Sequence, residues 1–285
     1  MTAANRAHPS RYVAHAMGMP ISVAMRGRHA DDTAGREAWE QAVSSLHQVD
    51  RDFSTYRTTS FVSRLARGEI GLDDCPAEVS EVLALGELAE QRSHGAFRVM
   101  RLGPDGTPTL DPNGVVKGWA IERAARSLFI LDDTSFCLSA GGDMVCHTAE
   151  TDDLPWRIGV EDPHDTTRVI AVVPIRDGAV ATSGTAHRGA HVVDGRTGLP
   201  PTGVASVTVV ADSLTWADID ATAAFARGPD AARWLSDEAD RVGIVVWSDG
   251  SITRTSRGDL SPAGPQELHR HGSRDASLSG PILSA

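Results

Sequence analysis

Cysteine is scarce in this chain: three residues, Cys75, Cys137 and Cys146, odd in number, with no CxxC pair and no zinc-like spacing to histidine. That excludes a disulfide scaffold and a structural zinc motif, and ordinary reduced thiols are expected. No unbroken apolar run approaches the roughly 18 residues that a membrane-spanning helix needs, which argues against membrane insertion. The opening stretch MTAANRAHPSRYVAHAMGMP has neither the apolar core of a signal peptide nor a lipid-attachment cysteine, so the protein reads as cytoplasmic. Positive charge is in deficit, 27 Lys and Arg against 38 Asp and Glu, for a formal net charge of −11. Such a balance argues against a nucleic-acid or anionic-membrane surface, although a local basic pocket can still hold a phosphate. Small molecules or proteins are the expected partners. There is no internal repeat, no Walker spacing around a lysine, and no GxSxG around a serine that would signal a serine hydrolase.

What is present is ordinary for a globular protein: 285 residues, 41% apolar and 23% charged, enough for one large domain or two small ones. MPISVAMRG (19–27) alternates like a strand, and Trp39, Val43, Leu46, Val49 and Phe53 then recur at helical intervals. A second helix is predicted over 77–92, from Val79, Val82, Leu83, Leu85 and Leu88, and a third over 117–130. From 135 the texture becomes short β-rich runs, SFCLS, WRIGVE, RVIAVVPI, AVATS, HVVD and ASVTVVA, divided by Gly, Pro and Asp turns. A helix near 229–240 and the strand VGIVVWS follow. The predicted organisation is one domain over 1–254 and a disordered, Ser/Gly/Pro/His-rich tail over 255–285. Helices in blocks beside a run of strands indicate an α+β fold rather than regular βαβ alternation.

Four stretches carry candidate chemistry. In DPNGVVKGWAIERAARSL (111–128), a loop runs into a helix start bearing Lys117 and Gly118, where free amides, a positive dipole end and a full charge can meet an anion. A plain turn with a solvated lysine explains the same residues. CLSAGGDMVCH (137–147) places adjacent glycines before Asp143, allowing positive φ and close approach to a ligand, or simply a tight turn. AVATSGTAHRGAHVVDGRTGLPPTG (179–203) is dense in small, hydroxyl and imidazole side chains, which suit a polar pocket or a surface hairpin.

The fourth, SLTWADIDATAAFARG (213–228), fits a short amphipathic helix that buries Ile219, Ala223, Ala224 and Phe225 and puts Asp218 and Thr222 on one shared face. An acid and a hydroxyl so spaced can offer two oxygens to a hard cation such as Mg²⁺ that also touches a phosphate. Equally, Asp218 can cap the helix and Thr222 bond back to its own backbone.

Their order along the chain is specific. MGM (17–19), VDRDFSTYRTTSFVSRLARGE (49–69), DPNGVVKGWAIERAA (111–125), SAGGD (139–143), ATSGT with HVVDGRTG (181–198) and VTVVADSLTWADIDATAAF (207–225) together resemble the FAD:protein FMN transferase family, also called ApbE. The resemblance runs over about 17–228. It implies a T-fold-like α+β domain, a largely antiparallel sheet packed with helices. It further implies that FAD is the substrate, Mg²⁺ the cofactor, and a Ser or Thr of a target flavoprotein the acceptor of the FMN half, with AMP released.

On that resemblance Asp218 and Thr222 match the metal-binding acid and hydroxyl, and the backbone carbonyl near Gly114 the third protein ligand. Lys117 and Gly118 match a Lys-Gly pair, Gly142 and Asp143 a Gly-Gly-Asp, Ser183 and Gly184 a Ser-Gly, and His191, Thr197 and Gly198 a His…Thr-Gly. Met17 and Gly18 match an entrance strand, and Ser54 and Tyr56 an early Ser-x-Tyr flanking the flavin. His191 is expected near the pyrophosphate, stabilising it or taking the acceptor's proton. Four places depart from the family pattern: Met19, Arg98-Val99-Met100, Asp111-Pro112-Asn113 and Ser139, all expected around the flavin pocket.

Overall fold

A computed structural model of the chain describes residues 9–102, 106–152, 154–186, 192–237, 241–256, 259–262 and 283–284. Strand β1 (Ser10–Ala16) turns through Met17 and Gly18 into β2 (Met19–Gly27). Both turn residues have positive φ, 52° and 73°, as a two-residue hairpin matching the strand twist requires. Helix α1 (Thr33–Phe53) starts on Asp32, whose side chain accepts from the Gly35 amide at 3.0 Å. It buries Trp39, Ala42, Leu46, Val49 and Phe53. After α2 (Phe61–Ala66), α3 (Ala77–Arg92) and a small hairpin, β3 (Met100–Leu102) with β4 (Pro108–Leu110), comes α4 (Asn113–Phe129).

The remaining elements are β5 (Thr134–Ala140), β6 (Asp143–His147), β7 (Trp156–Asp162), β8 (Asp165–Ile175), β9 (Gly178–Gly184), β10 (Val204–Ala211), α5 (Leu214–Ala226), α6 (Ala231–Asp237), β11 (Val242–Trp247), β12 (Ile252–Ser256), β13 (Asp259–Pro262) and β14 (Leu283–Ser284). Nine strands form one sheet in the order β1-β2-β5-β6-β9-β10-β11-β12-β13, and every neighbouring pair is antiparallel. The pair β7–β8, with β14 alongside, makes a second small sheet. The α+β expectation of a largely antiparallel sheet packed with helices is met.

Strand alternation divides the core in two. Ile21, Val23, Met25, Phe136, Leu138, Ala140, Val145, Ala179 and Ala181 point to the helices, while Ala24, Cys137, Met144, Cys146 and Val180 point the other way, onto Trp156, Ile158 and Ile175 of the second sheet. Helix α5 packs between α4 and strands β9 and β10, and all its apolar residues except the half-buried Trp216 are buried. It is therefore a central helix, not the amphipathic one that its sequence suggested.

Other differences have local causes. Helix α4 starts at Asn113 rather than 117, because the amides of Val115 and Val116 both bond back to the Pro112 carbonyl, at 2.8 and 3.0 Å. Lys117 and Gly118 thus sit one turn inside the helix rather than at its start, and the Gly118 amide is taken by Asp218. Of the predicted strand HVVD, residues 192–194 are not a strand: Asp194 closes a turn instead, its carbonyl accepting from the amides of Thr197 (3.1 Å) and Gly198 (2.7 Å). In the tail read as disordered, 259–262 extend the large sheet beside β12 and 283–284 pair parallel with β7. Residues 263–282 and 285 lie outside the described residues. No helix among the described residues is long and apolar enough to cross a membrane.

Candidate functional site

One end of the large sheet is built from two tight turns lying side by side. The register sets Ile21 opposite Ala140, so the Met17-Gly18 turn adjoins the turn of Gly141 and Gly142, whose φ values are 58° and 93°. Adjacent positive φ values are cheap for glycine, which explains the Gly-Gly pair before Asp143. The same end carries Thr182, Ser183 and Gly184 from β9 and Ser206 from β10, since Ser206 pairs with Gly184. The first turns of α4, the C-terminal part of α1 and the β7–β8 turn close around it. Between them lies a cavity of about 630 Å³, within the size range of small-molecule sites.

Its floor is a cluster of charges held between α4, α5 and β6. Lys117 Nζ lies 2.6 Å from Asp143 Oδ2 and 3.1 Å from Asp218 Oδ1, and both carboxylates are buried. The Gly118 amide donates to Asp218 Oδ2 at 3.0 Å, and the Thr182 amide to Asp143 Oδ1 at 3.2 Å. This contact depends on glycine at 118: a Cβ there would stand 2.9 Å from both the Asp218 Cβ and the Leu214 carbonyl oxygen. Burial pushes the Asp218 carboxyl up, Lys117 pulls it back and Asp143 pushes it up again, leaving it at about 7 against an ordinary 3.8. One turn on, Thr222 Oγ1 meets Ser183 Oγ at 2.9 Å. Asp218 does not cap α5; Ser213 does, its hydroxyl accepting from the Trp216 amide. Asp218 and Thr222, four apart, both line the cavity, as their helical spacing predicted.

The cavity collects Met17, Gly18, Ser54, Tyr56, Gly114, Lys117, Gly142, Ser183, Gly184, Asp218 and Thr222, dispersed over the sequence. Gly118 and Asp143 stand directly behind it, gripping Asp218 and Lys117. Thr197 and Gly198 are not among the lining residues. They belong to the Asp194 turn, which folds onto residues 95–98 through Gly195, whose amide donates to the Ala96 carbonyl at 2.9 Å, and is stiffened by the Asp194–Arg196 ion pair at 2.7 Å. Burial raises the Asp194 carboxyl, but hydrogen bonds from Arg196 outweigh it and hold it below the usual range. His191 lies outside the described residues.

Sequence reasoning missed other lining groups: Arg101, 3.5 Å from Asp111, and Glu161, Asp162, Pro163 and Thr166 of the β7–β8 turn. The stretch EDPHD marks a turn, but nothing local says that this turn overhangs the cavity. Of the departures from the family pattern, Met19 and the 111–113 segment do border the cavity, whereas Arg98 pairs with Glu90 at 3.1 Å and Val99 is buried.

The oxygen donors at the floor suit a hard cation. Asp218 and Thr222 face the cavity one helical turn apart with hard oxygen donors, Gly114 lines the same wall, and the described residues contain no cluster of three His, Cys, Asp or Glu. A hard cation such as Mg²⁺, content with one carboxylate, neutral oxygens and a phosphate, fits these residues.

Fold and cavity define an α+β protein whose sheet end and central helix enclose a polar, lysine- and carboxylate-floored pocket of small-molecule size. Over residues 102–246 the chain matches the model of the ApbE family. The chain belongs to the ApbE family. It is 28% identical over 160 residues to the FAD:protein FMN transferase of Haemophilus influenzae, a match covering 52% of this chain and 46% of that protein. With the FAD:protein FMN transferase of Treponema pallidum it shares 32% identity over 184 residues, 58% of this chain and 51% of the relative. The matches thus span about half the length of these curated relatives. The fold resembles that of the apo form of the Pseudomonas stutzeri flavinyl transferase ApbE, with a TM-score of 0.72 at 21% identity, covering 90% of this chain and 95% of that one.

Proposed function

We propose that this protein cleaves FAD in the cavity and transfers the FMN half to a Ser or Thr of an acceptor flavoprotein, releasing AMP. The observation that carries the reading is the meeting of Lys117 with Asp218, one turn from Thr222, at the floor of a pocket of nucleotide size. The name shared by its curated relatives, FAD:protein FMN transferase, supports it.

In this reading the pyrophosphate sits over Lys117. The turns at 17–18 and 141–142 bring backbone close to the ligand, and Tyr56, exposed at the mouth, flanks the flavin. The acceptor hydroxyl oxygen bonds to the FMN-side phosphorus. The bond from that phosphorus to the bridging oxygen breaks, and AMP leaves with the electron pair. The hydroxyl proton goes to His191, the role its sequence context suggests, and from there to solvent. Charge grows on the equatorial and leaving oxygens as this happens. Asp218, Thr222 and the Gly114 carbonyl would hold Mg²⁺, which when bound neutralises pyrophosphate charge. Lys117 and Gly118 hold the Asp218 carboxylate in place.

The test is incubation with FAD, Mg²⁺ and a flavoprotein subunit carrying the acceptor hydroxyl. AMP release together with a fluorescent, denaturation-resistant acceptor band, both lost on chelation, is the expected result. AMP and free FMN without a labelled acceptor would mean that water is the acceptor and the protein is an FAD pyrophosphatase. FAD bound without either product would mark a flavin-binding protein.

A further inference from the structure

Helices α4 and α5 run antiparallel where they meet. Gly118 touches Asp218, and four residues further along α4 Glu122 reaches the other end of the contact, the first turn of α5. There a single carboxylate oxygen, Glu122 Oε2, takes three donors: Ser213 Oγ at 2.9 Å, the Thr215 amide at 2.8 Å and Thr215 Oγ1 at 2.5 Å. The first turn of α5 has no acidic residue of its own. Glu122 therefore supplies from a neighbouring helix the negative charge and the acceptor that a helix N-terminus calls for.

We infer that Glu122 is a positioning residue for the metal-binding pair: it locks the register of α5 against α4, and so fixes where Asp218 and Thr222 stand relative to Lys117. This rests on the reading of Asp218 and Thr222 as metal ligands. The geometry gives Glu122 that leverage for two reasons. Its contacts lie one turn before Asp218 on the same helix. On α4 it is spaced four from Gly118, so both grip α5 from one face. Charge-assisted bonds to one oxygen from a backbone amide and two hydroxyls leave α5 little freedom to slide or rotate. Nothing in Glu122 itself touches the cavity, so it acts only through the helix it holds.

The experiment titrates Mn²⁺, as a paramagnetic stand-in for a hard divalent cation, into full-length wild type, Glu122→Ala, Glu122→Gln and the double variant Ser213→Ala/Thr215→Ala. FAD affinity in chelator and the melting temperature are measured on the same samples. Outer partners of metal ligands typically matter by about 10-fold to 100-fold in metal affinity. We expect Glu122→Ala and the double variant to weaken Mn²⁺ binding at least ~10-fold with FAD affinity in chelator unchanged. Glu122→Gln, which keeps an acceptor oxygen, should recover most of the loss. The double variant stands in if Glu122→Ala does not fold. Wild-type Mn²⁺ affinity in folded Glu122→Ala, or in the double variant, would overturn the inference alone, whatever happens to the melting temperature. A wild type that binds FAD but no Mn²⁺ would instead overturn the metal reading, and this inference with it.

Discussion

Lys117 stands between two buried carboxylates, 2.6 Å from Asp143 and 3.1 Å from Asp218, so that one cation answers two potential anions at the cavity floor. Each carboxylate is also gripped by a backbone amide, Gly118 on Asp218 and Thr182 on Asp143. Three elements of distant sequence, α4, β6 and α5, thereby share one electrostatic knot. If both carboxylates are ionised, the knot carries net negative charge and favours a further cation on its solvent side, where Thr222 and the cavity lie.

Removing the lysine should therefore cost more than a surface charge would. Lys117→Met keeps much of the stem volume but leaves Asp143 and Asp218 facing each other without their cation. Breaking a buried pair in this way costs about 3–5 kcal/mol. Urea denaturation should show a lower midpoint with an unchanged slope, and FAD turnover should fall at least ~100-fold, one mispositioned catalytic element being enough for that. A midpoint equal to the wild type's would show that the ion pairs contribute nothing.

Asp218 gives a pH signature. Its carboxyl is raised from 3.8 to about 7 in the fold, so folding disfavours the ionised form. For such a group the unfolded chain releases its proton first. In chelator-treated protein, stability falls as pH rises from about 4 towards 7, and the cost is constant above that. Asp218→Asn cannot ionise and removes this loss. Thermal melts from pH 4 to 8 should show the wild type losing melting temperature relative to Asp218→Asn across that window, and parallel curves would refute the shift.

How much of this was legible in the sequence follows the range of the interactions. The α1 and α3 helices and strand β2 were marked by periodicity, and β5, β7, β8, β9, β10 and β11 by short β-rich runs between turn residues. The pairing of Asp218 with Thr222 was marked by helical spacing alone. The start of α4 was misplaced because Pro112 accepts the first amide bonds, which loop-like Asp-Pro-Asn-Gly composition conceals. The burial of α5 on every side depends on what packs around it, and an alanine-rich helix reads much the same whether half or wholly covered. Glu122 carries no local signal of its role, since its partners Ser213 and Thr215 are distant in sequence. The β7–β8 turn above the cavity and the strands at 259–262 and 283–284 follow from topology, not composition.

The helix crossing can be tested through Gly118. A Cβ at 118 would fall 2.9 Å from the Asp218 Cβ and the Leu214 carbonyl oxygen, neither at the end of a flexible side chain. Gly118→Ala should push α5 away from α4 and cost about 1–3 kcal/mol of overpacking, exceeding alanine's helix-propensity gain of about 1 kcal/mol. Divalent-cation affinity should drop with it, because Asp218 moves. A variant both stabilised and fully active would mean that the helices have room to spare.

Thr222 offers the sharpest separation of ligand from scaffold. Its hydroxyl touches Ser183 Oγ at 2.9 Å and faces the cavity, so a purely structural role would be one neutral hydrogen bond, worth about 0.5–1.5 kcal/mol. Thr222→Val keeps the branched shape and deletes only the oxygen. As a metal ligand, Thr222 would be missed in another quantity: the Mg²⁺ concentration for half-maximal turnover should rise at least ~10-fold while the melting temperature moves only as one lost hydrogen bond demands. Thr222→Ser restores an oxygen at the same position and should bring the Mg²⁺ dependence most of the way back. Should Thr222→Val keep wild-type Mg²⁺ dependence, the hydroxyl is scaffold for Ser183 and the metal rests on Asp218 and backbone oxygen alone.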